Sequence, residues 1–432
     1  MTLFPTSTFC VFFISRSDGD FGLSQKEAAA KIQRNTQVAD DSPTMCIFIS
    51  GDNWDHYSLF ALTEINSGMY QSTLGNMTFQ HKFLYADPKS STVEGDTQAI
   101  FSFNYESCHI FVGPGWTVQL EAIGEWAGVV QKPIVTGTAT SPIFTEPNYN
   151  YVSRTIPSDT YVLRAFVSLI REYEFELINI VYVDDRLGQR MTAALYEMSK
   201  GLFHVESIHS IKDVDDVDGI TSALDALEDS SASVTFLGLY YDISTFLNMA
   251  GQRGMHENHL WLSPNAVEFQ DKLDPPSTGG IWSTLQGKEL TEESPLVQRY
   301  LAKDPTPHIE ALEYGFPDTY DTMSFYGAYT YEAVLAAANG LATATNISDG
   351  AQVLKEIRNL SLRTDTGALQ MDENGDRVGA RIPIYFITPE GTAEQFALYY
   401  NETTEFLRVP MWPDGSTKQP ENFGQEVDPD RR

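Results

Sequence analysis

Short apolar runs alternate with helix-like stretches over the first part of the chain. The runs MCIFIS, FQHKFLY, CHIFV and PIVT between Met45 and Thr136 predict buried strands. Apolar residues at helical spacing predict helices near 54–66, 94–106 and 116–130. Strands that alternate with helices form parallel βαβ units with right-handed crossovers, so this region predicts a doubly wound sheet.

A second series of the same kind begins after Pro157. The runs LINIVYV, HVESIHS, SVTFLGL and HLWLS predict strands separated by helices, and a Pro- and Gly-rich stretch at 274–280 predicts a boundary. Helices are predicted next near 294–303, 318–342 and 349–358. The chain then turns to GALQM, RIPIYFI, AEQFALYY and EFLRV, which are typical of short strands joined by turns. Together the two series predict an α/β protein with two doubly wound lobes.

Two such lobes imply a ligand cleft at the carboxyl ends of their strands. The loops after those strand ends are therefore the expected ligand contacts: Gly51 to Asp55, Gly113 to Val118, Thr136 to Pro142, Asp184 to Gly188, Tyr240 to Asp242 and Ser263 to Val267. The segment VGPGWT opens a helix, and backbone N–H groups at a helix N-terminus can bind an anion. A tight turn that packs the helix on the sheet would explain the same glycines.

The composition is that of a globular and strongly acidic protein. Hydrophobic residues make up 42% of the 432 residues and aromatic residues 12%, which a disordered acidic chain would lack. The 28 basic and 59 acidic residues give a net charge of 28 − 59 = −31, which argues against nucleic acid as a partner and against a polybasic membrane contact. No apolar run reaches the roughly 18 residues that a transmembrane helix needs, and 328–344 is interpreted as a buried helix of a soluble fold.

No motif for catalysis or for cofactor binding is found along the chain. Nucleotide-binding glycine motifs, a nucleophile elbow and metal-ligand spacings are all missing from the sequence. No group of residues specifies a nucleophile together with its base. We therefore predict that the chain is not an enzyme and that it holds no cofactor and no metal.

Cysteine and asparagine patterns favour an extracellular protein with few disulfides. The three cysteines, Cys10, Cys46 and Cys108, are too few for a disulfide scaffold. If a leader that contains Cys10 is removed, the other two remain as one pair. Sequons for N-glycosylation, which also arise by chance, begin at Asn76, Asn346, Asn359 and Asn401.

The N-terminal region has some features of a signal peptide. The apolar run from Phe9 to Ile14 has the length of a signal-peptide core. However, no basic residue precedes it, and no clear small-residue cleavage site follows. A leader and a linker therefore both remain open as interpretations of residues 1–43.

Four segments, taken in order, resemble the receptor ligand-binding region of periplasmic-binding-protein type I fold. They are VGPGWTVQLEAIGEWAGVVQKPIVTGTATSPIF (112–144), RTIPSDTYVLRAFVSLIREYEFELINIVYVDD (154–185), YEAVLAAANGL (331–341), and TGALQMDENGDRVG (366–379) with WPDGST (412–417). This family includes the ectodomains of class C G-protein-coupled receptors and of natriuretic-peptide receptor guanylate cyclases. The order and spacing of the segments hold over most of the chain.

The resemblance implies a two-lobed Venus flytrap. Lobe one would take 44–157 and 281–362, lobe two would take 158–280 and 363–408, and 409–432 would form a juxtamembrane-like tail. The lobes of a flytrap close on a ligand by hinge movement. Cys46 and Cys108 would head the first and third strands, which are neighbours in this sheet, so a bridge between them is an open alternative.

The resemblance also implies a function and partners. The chain would be the extracellular ligand-sensing domain of a receptor, without catalysis, and a homodimer formed through lobe one. It would reach the membrane only through a segment outside this chain. The alternative is a free solute-binding protein that delivers its cargo to a transporter.

Site residues in lobe one follow from the family motifs. In amino-acid-binding class C members, hydroxyl side chains after the GPG turn and after the fourth strand hold the ligand's carboxylate and amine. Here Trp116 and Thr117 follow the turn, while Thr138 and Thr140 match the fourth-strand loop. Asp159 in the PSD motif is a candidate acceptor for an amine, and helix capping by Ser158 or Asp159 explains that motif equally well.

Lobe two departs from the family pattern at two positions. Leu187 replaces the aromatic residue expected before Gly188, and Pro264–Asn265 replaces an expected acidic residue. Asp184, Asp185 and Asn265 remain the candidate ligand contacts of this lobe. In lobe one, Trp54 and Trp116 could stack on a flat or apolar ligand, or simply pack inside the lobe. We therefore expect a small molecule such as an amino acid or amine, or a peptide, as the ligand.

Overall fold

The structure is a computed structural model of the 432-residue chain. It describes residues 42–49, 55–87, 90–239, 242–264, 266, 271–274, 277–284, 290, 292–302, 323, 325–420 and 423–424. Two predicted ligand contacts, Trp54 and Asn265, lie outside these residues. Most of the predicted leader or linker at 1–43 and the first part of the helix expected at 318–342 also lie outside them.

The elements that the apolar pattern predicts follow one another in the expected order. The helices are α1 (Asp55–Asn66), α2 (Gln71–Leu74), α3 (Val93–Asn104), α4 (Thr117–Val130), α5 (Asp159–Glu172), α6 (Arg186–Ser199), α7 (Val217–Glu228), α8 (Ser244–Gln252), α9 (Pro295–Leu301), α10 (Phe325–Thr343) and α11 (Gly350–Arg358). The strands are β1 (Thr44–Ile49), β2 (Gln80–Tyr85), β3 (Ile110–Val112), β4 (Ile134–Thr136), β5 (Val152–Arg154), β6 (Leu177–Val183), β7 (His204–Ile211), β8 (Val234–Gly238), β9 (Leu260–Ser263), β10 (Ile281–Thr284), β11 (Ser361–Thr364), β12 (Gly367–Gln370), β13 (Ile382–Ile387), β14 (Ala393–Tyr400) and β15 (Thr403–Phe406). Among these elements the structure adds α2, β5, β10 and β11, which were not predicted.

The first sheet is entirely parallel, in the order β2-β1-β3-β4-β5. Residues of α1, α10 and α11 pack on one face of it, in a core that includes Met45 and Ile47. Residues of α3 and α4 pack on the other face, in a core that includes Cys46 and Phe111. Because helices cover both faces, the strands β1, β3 and β4 are continuous apolar runs rather than alternating ones.

The second sheet has the order β15-β14-β13-β10-β9-β8-β6-β7. Its strands from β7 to β10 are parallel, whereas β13, β14 and β15 join by antiparallel pairing. Helices α5 and α6 contribute to the core on one face, and α7 and α8 to the core on the other. The predicted two-lobed α/β fold is confirmed, with the correction that the sheet of lobe two is mixed rather than parallel throughout.

Two features lie beyond the lobe boundaries expected from the sequence. The strand β10, which was not predicted, pairs with β9 and β13, so lobe two continues past residue 280 to Thr284. Four residues after a glycine pair are too short a run to stand out as a strand. Leu360 and Leu369 pack in the core of the first sheet, which places the hairpin of β11 and β12 on lobe one, beyond the expected boundary at 362.

Buried ion pairs fasten the chain where it passes between the lobes. Arg154 at the end of β5 contacts Asp376, with its Nε donating to Oδ1 at 2.6 Å. Arg377 pairs with Glu332 of α10, with Nη1 and Oε2 2.7 Å apart, and the same nitrogen donates to the carbonyl of Thr155. These contacts join the segment between β12 and β13 to both β5 and α10.

Helix α10 is buried on nearly all sides, as the sequence predicts for 328–344. The loop after β4 approaches it so closely that a Cβ on Gly137 would lie 2.5 Å from the carbonyl oxygen of Tyr329. Glycine is therefore required at that position for this packing. Within the described residues, no helix is long and apolar enough to cross a membrane.

A disulfide connects two neighbouring strands of the first sheet. Cys46 in β1 is bonded to Cys108, which lies just before β3, with their Cα atoms 5.7 Å apart. Both residues are buried. The cross-link therefore lies under α3 and α4 and away from solvent.

The segment after β15 packs on the second lobe. Trp412 is buried, and the indole Nε1 of Trp282 donates to the carbonyl of Met411 at 3.1 Å. The ring centroids of Trp412 and Phe423 lie 5.5 Å apart. Over its described part, the predicted juxtamembrane-like tail at 409–432 is thus an anchored segment of lobe two.

Candidate functional site

The turn between β3 and α4 presents an open helix N-terminus at the carboxyl edge of the first sheet. Gly113 has a φ of 75°, which only glycine adopts readily, and α4 begins at Thr117. Trp116 is the N-cap residue of α4 but makes no side-chain capping bond, and no acidic residue lies in the first turn. The positive end of the helix dipole is therefore not neutralised by the helix's own side chains, and it favours a negative group.

Threonine hydroxyls from the loop after β4 hold this turn in place. Thr136 Oγ1 donates to the carbonyl of Pro114 at 2.9 Å, and Thr138 Oγ1 donates to the carbonyl of Gly115 at 3.0 Å. Thr136 opens the predicted contact loop Thr136 to Pro142 but was not singled out as a site residue. Because the hydroxyl hydrogens are used in these bonds, the oxygen of Thr138 can act toward a ligand only as an acceptor, which suits an amine.

Thr140 and Asp159 come together behind this loop. The backbone N–H of Asp159 donates to the carbonyl of Thr140 at 2.9 Å. Ser158 is the N-cap of α5, with its Oγ accepting from the N–H of Thr160, and Asp159 is the first helical residue. The capping explanation thus holds for Ser158. Asp159 has no exposed surface in this conformation, and its role as an amine acceptor stays a prediction.

In lobe two, the predicted contacts Asp184 and Asp185 shape the turn between β6 and α6. Asp184 is exposed, and its Oδ1 accepts from Nε2 of Gln189 at 2.8 Å. Asp185 is the N-cap of α6, and its Oδ1 accepts from the N–H of Gly188 at 2.7 Å. A Cβ on Gly188 would lie 2.1 Å from the carbonyl oxygen of Val183, so the turn requires glycine there.

The residue of this turn that reaches the opposite lobe is Arg186, which lies in the predicted contact loop Asp184 to Gly188 but was not singled out as a site residue. Its Nη1 donates to Oε2 of Glu121 in α4 at 2.7 Å, and its Nη2 donates to Glu94 in α3. The carboxyl edges of the two sheets therefore face each other here. A signal was present in the sequence, because an arginine at the first position of a helix is opposed by the helix dipole and needs another reason to be there.

The surroundings of Glu121 are acidic and partly buried. Burial, with the nearby charges of Glu121 and Glu125, raises the pKa of Tyr149 to about 12. Tyr149 is therefore a neutral phenol at physiological pH. Among the described residues, no three His, Cys, Asp or Glu side chains are grouped so that they could hold a metal ion.

The site as described brings together part of the predicted set. Trp116, Thr117 and Thr138 meet at the start of α4, with Thr140 and Asp159 behind them. Asp184 and Asp185 lie on the facing lobe, where one is solvent-exposed and the other caps a helix. Across this edge Arg186 contacts two carboxylates of the opposite lobe, and the N-terminus of α4 has no side-chain cap.

Comparison with known proteins identifies the family to which this architecture belongs. Residues 58–390 match the family model described as the receptor family ligand binding region. Glutamate receptor 2.3 of Arabidopsis thaliana is 24% identical over 285 residues, which is 64% of this chain and 30% of that protein. Glutamate receptor 2.9 of the same plant is 21% identical over 270 residues, which is 61% of this chain and 28% of that protein. The chain thus spans less than a third of the length of these relatives, and by its match over most of its residues it belongs to the family of receptor ligand-binding regions.

Proposed function

We propose that the chain is the extracellular ligand-binding region of a receptor and that its two lobes close on a small molecule such as an amino acid or amine, or on a peptide, without catalysis. The observation that carries the proposal is the N-terminus of α4, which has no side-chain cap and no acidic residue in its first turn and begins beside the half-buried Trp116. The relatives named above are receptors, which supports a receptor over a free solute-binding protein.

The chemistry of the site suits a zwitterion. A carboxylate would accept hydrogen bonds from the first N–H groups of α4, where the helix dipole stabilises negative charge. An amine would donate to the hydroxyl oxygen of Thr138, whose hydrogen is already used. Glutamate is a sensible first ligand because the relatives carry that name.

A ligand screen tests the proposal directly. We expect one or more amino acids, amines or small peptides to raise the melting temperature and to reduce the radius of gyration in small-angle X-ray scattering. Replacing Trp116 with Ala should weaken that ligand about tenfold, the equivalent of about 1.4 kcal/mol, because a stacked aromatic contact contributes energy of this order.

The control is Trp126→Ala, which removes a half-exposed tryptophan near the other end of the same helix. It should leave the ligand affinity unchanged. The proposal fails if no ligand in the panel changes either the melting temperature or the compactness. A transmembrane segment encoded downstream of Arg432 would separately exclude the free solute-binding alternative.

We also propose a homodimer through lobe one, on the face formed by α3 and α4. This face exposes large apolar side chains at Phe103, Trp126 and Val129, the last of which is 78% exposed. The four sequon asparagines are all exposed, and none lies on these two helices: Asn76 follows α2, Asn346 follows α10, Asn359 follows α11 and Asn401 lies between β14 and β15. Glycans on them would leave the apolar face uncovered.

Light scattering with combined ultraviolet and refractive-index detection tests both the dimer and the glycosylation, because it separates the protein mass from the glycan mass. We expect secreted protein to be a glycosylated dimer and Trp126→Glu to be a monomer, since the substitution places a charge in the apolar contact. Tyr196→Glu, a change at a similarly exposed aromatic residue on lobe two, should remain a dimer. A monomeric parent protein, or a dimeric Trp126→Glu variant, would contradict the dimer proposal.

A further inference from the structure

The guanidinium of Arg186 spans the gap between the two lobes. It comes from the first turn of α6 on lobe two and contacts two different helices of lobe one, through Glu121 on α4 and Glu94 on α3. Arg190, one turn further along α6, brings its Nε to 4.0 Å from Oε1 of Glu121. We call these four residues the Arg186 bridge.

Glu121 is the buried member of the Arg186 bridge. Its side chain is 9% exposed, against 46% for Arg186 and 49% for Glu94. Its Oε2 accepts from Arg186, while its Oε1 is buried and forms no hydrogen bond with any described residue. Among the described residues, the two cations paired with this carboxylate, Arg186 and Arg190, both belong to the other lobe. Separating the lobes would remove them, and Glu121 would have to recover its solvation from water.

Local contacts fix the conformation of the turn that carries Arg186. The Asp185 cap and the close contact of Gly188 with Val183 set the direction in which α6 begins. Arginine at that position is unfavourable for the helix itself, because the N-terminal end of the dipole is positive. The planar guanidinium can hold two carboxylates at once, which a lysine ammonium does less well.

We propose that the Arg186 bridge is a latch that holds the two lobes together in the absence of ligand and so sets the ligand affinity from a distance. The proposal rests on lobe closure as part of the proposed function. A partly exposed ion pair contributes little to folding, but an equilibrium between an open and a closed arrangement is shifted by small energies. A stronger latch populates the closed state in advance and tightens binding, whereas a broken one weakens binding without touching the ligand.

Single-molecule energy transfer on the unliganded chain tests the latch. Fluorophores are attached at Gln98→Cys on α3 and Ala193→Cys on α6, both exposed positions, in a Cys10→Ser background. We expect Arg186→Glu to raise the open population about two- to tenfold, the range expected for the loss of two partly exposed ion pairs. Raising the salt from 0.1 M to 1 M should open the parent protein, because the screening length falls from about 10 Å to about 3 Å.

The matched control is Arg164→Glu, which makes the same change of charge at a similarly exposed arginine, 48% against 46%, but in an ion pair with Glu402 inside lobe two. It should leave the open population unchanged and so corrects for the repulsion within an acidic chain. If Arg186→Glu impairs folding, Arg186→Gln removes the charge with less disturbance. Restoration of the closed state by Arg186→Glu combined with Glu121→Arg would identify the pair as the cause.

The latch is overturned if Arg186→Glu and Arg186→Gln leave the energy-transfer distribution identical to that of Arg164→Glu. That result would leave the proposed function standing whenever a ligand still compacts the protein. Conversely, opening of the unliganded chain by Arg186→Glu, together with no response to any ligand, would support the latch and contradict the proposed function.

Discussion

Replacing Glu332 with Ala is expected to lower the free energy of unfolding by about 3–5 kcal/mol, because it leaves a buried guanidinium without its counter-charge. The side chains of Arg377 and Glu332 are 0% and 1% exposed. Arg377 also donates to the carbonyls of Thr155, Thr366 and Ala368, so it is held in place and cannot turn toward water. The variant must therefore either keep an uncompensated charge in the interior or disrupt the packing around it.

The position of this pair gives the substitution a second effect. Glu332 lies on the central helix of lobe one, whereas Arg377 lies in the segment that leads to β13 of lobe two. Loss of the pair should loosen this crossing as well as destabilise the fold. Hydrogen exchange should therefore rise in the segment 371–381 under conditions where the lobes themselves stay folded.

Urea denaturation followed by tryptophan fluorescence provides the measurement. The control is Glu197→Ala, which removes an ion pair with Lys200 whose side chains are 66% and 61% exposed. That change should cost less than about 1 kcal/mol. A Glu332→Ala variant that unfolds at the same urea concentration as Glu197→Ala would show that the buried pair does not stabilise the fold more than an exposed pair does.

Removing the disulfide should cost about 2–5 kcal/mol of the free energy of unfolding. The bond joins Cys46 and Cys108 across 62 positions of sequence, and its loss lets that loop expand in the unfolded chain. The double replacement Cys46→Ala and Cys108→Ala is preferred, because a single replacement leaves a free thiol in the core. The sulfurs lie against the α3–α4 side of the sheet, so the variant should also show weaker protection of β1 and β3.

Mass spectrometry after alkylation checks the bond itself. Denatured protein should take up label at two more sites after reduction than before it. Cys10→Ser serves as the control, since it removes a thiol without affecting the bond. Equal labelling of reduced and unreduced protein would show that Cys46 and Cys108 are not bonded.

The apolar pattern was sufficient to predict those strands and helices in which consecutive residues are buried. The strand β6 was predicted at LINIVYV and lies at Leu177–Val183, and a parallel sheet covered on both faces requires such a run. The buried helix α10 followed from small and apolar residues without a polar face. The strand β10 was missed because four residues carry no periodicity, and only its pairing with β9 and β13 makes it a strand.

The candidate site, like the fold, could be predicted from the sequence only in part. The loops at the strand ends could be located from the sequence, because parallel strands bring their carboxyl ends to one edge. The role of each side chain in these loops could not be predicted from the sequence. Thr138 donates to a carbonyl of a turn about twenty residues earlier in the chain, and Asp185 caps the helix that it precedes.

By itself, the sequence determined the fold class, the order of most strands and helices, the edge at which a ligand cleft is expected and the family resemblance. These depend on local periodicity and on motifs, which adjacent residues carry. Only the tertiary structure decided which charges meet across the lobes: Arg186 is one exposed arginine among others until β6 and α6 place it against Glu94 and Glu121. Such contacts join residues 65 and 92 positions apart, and their formation depends on how two separately wound lobes face each other.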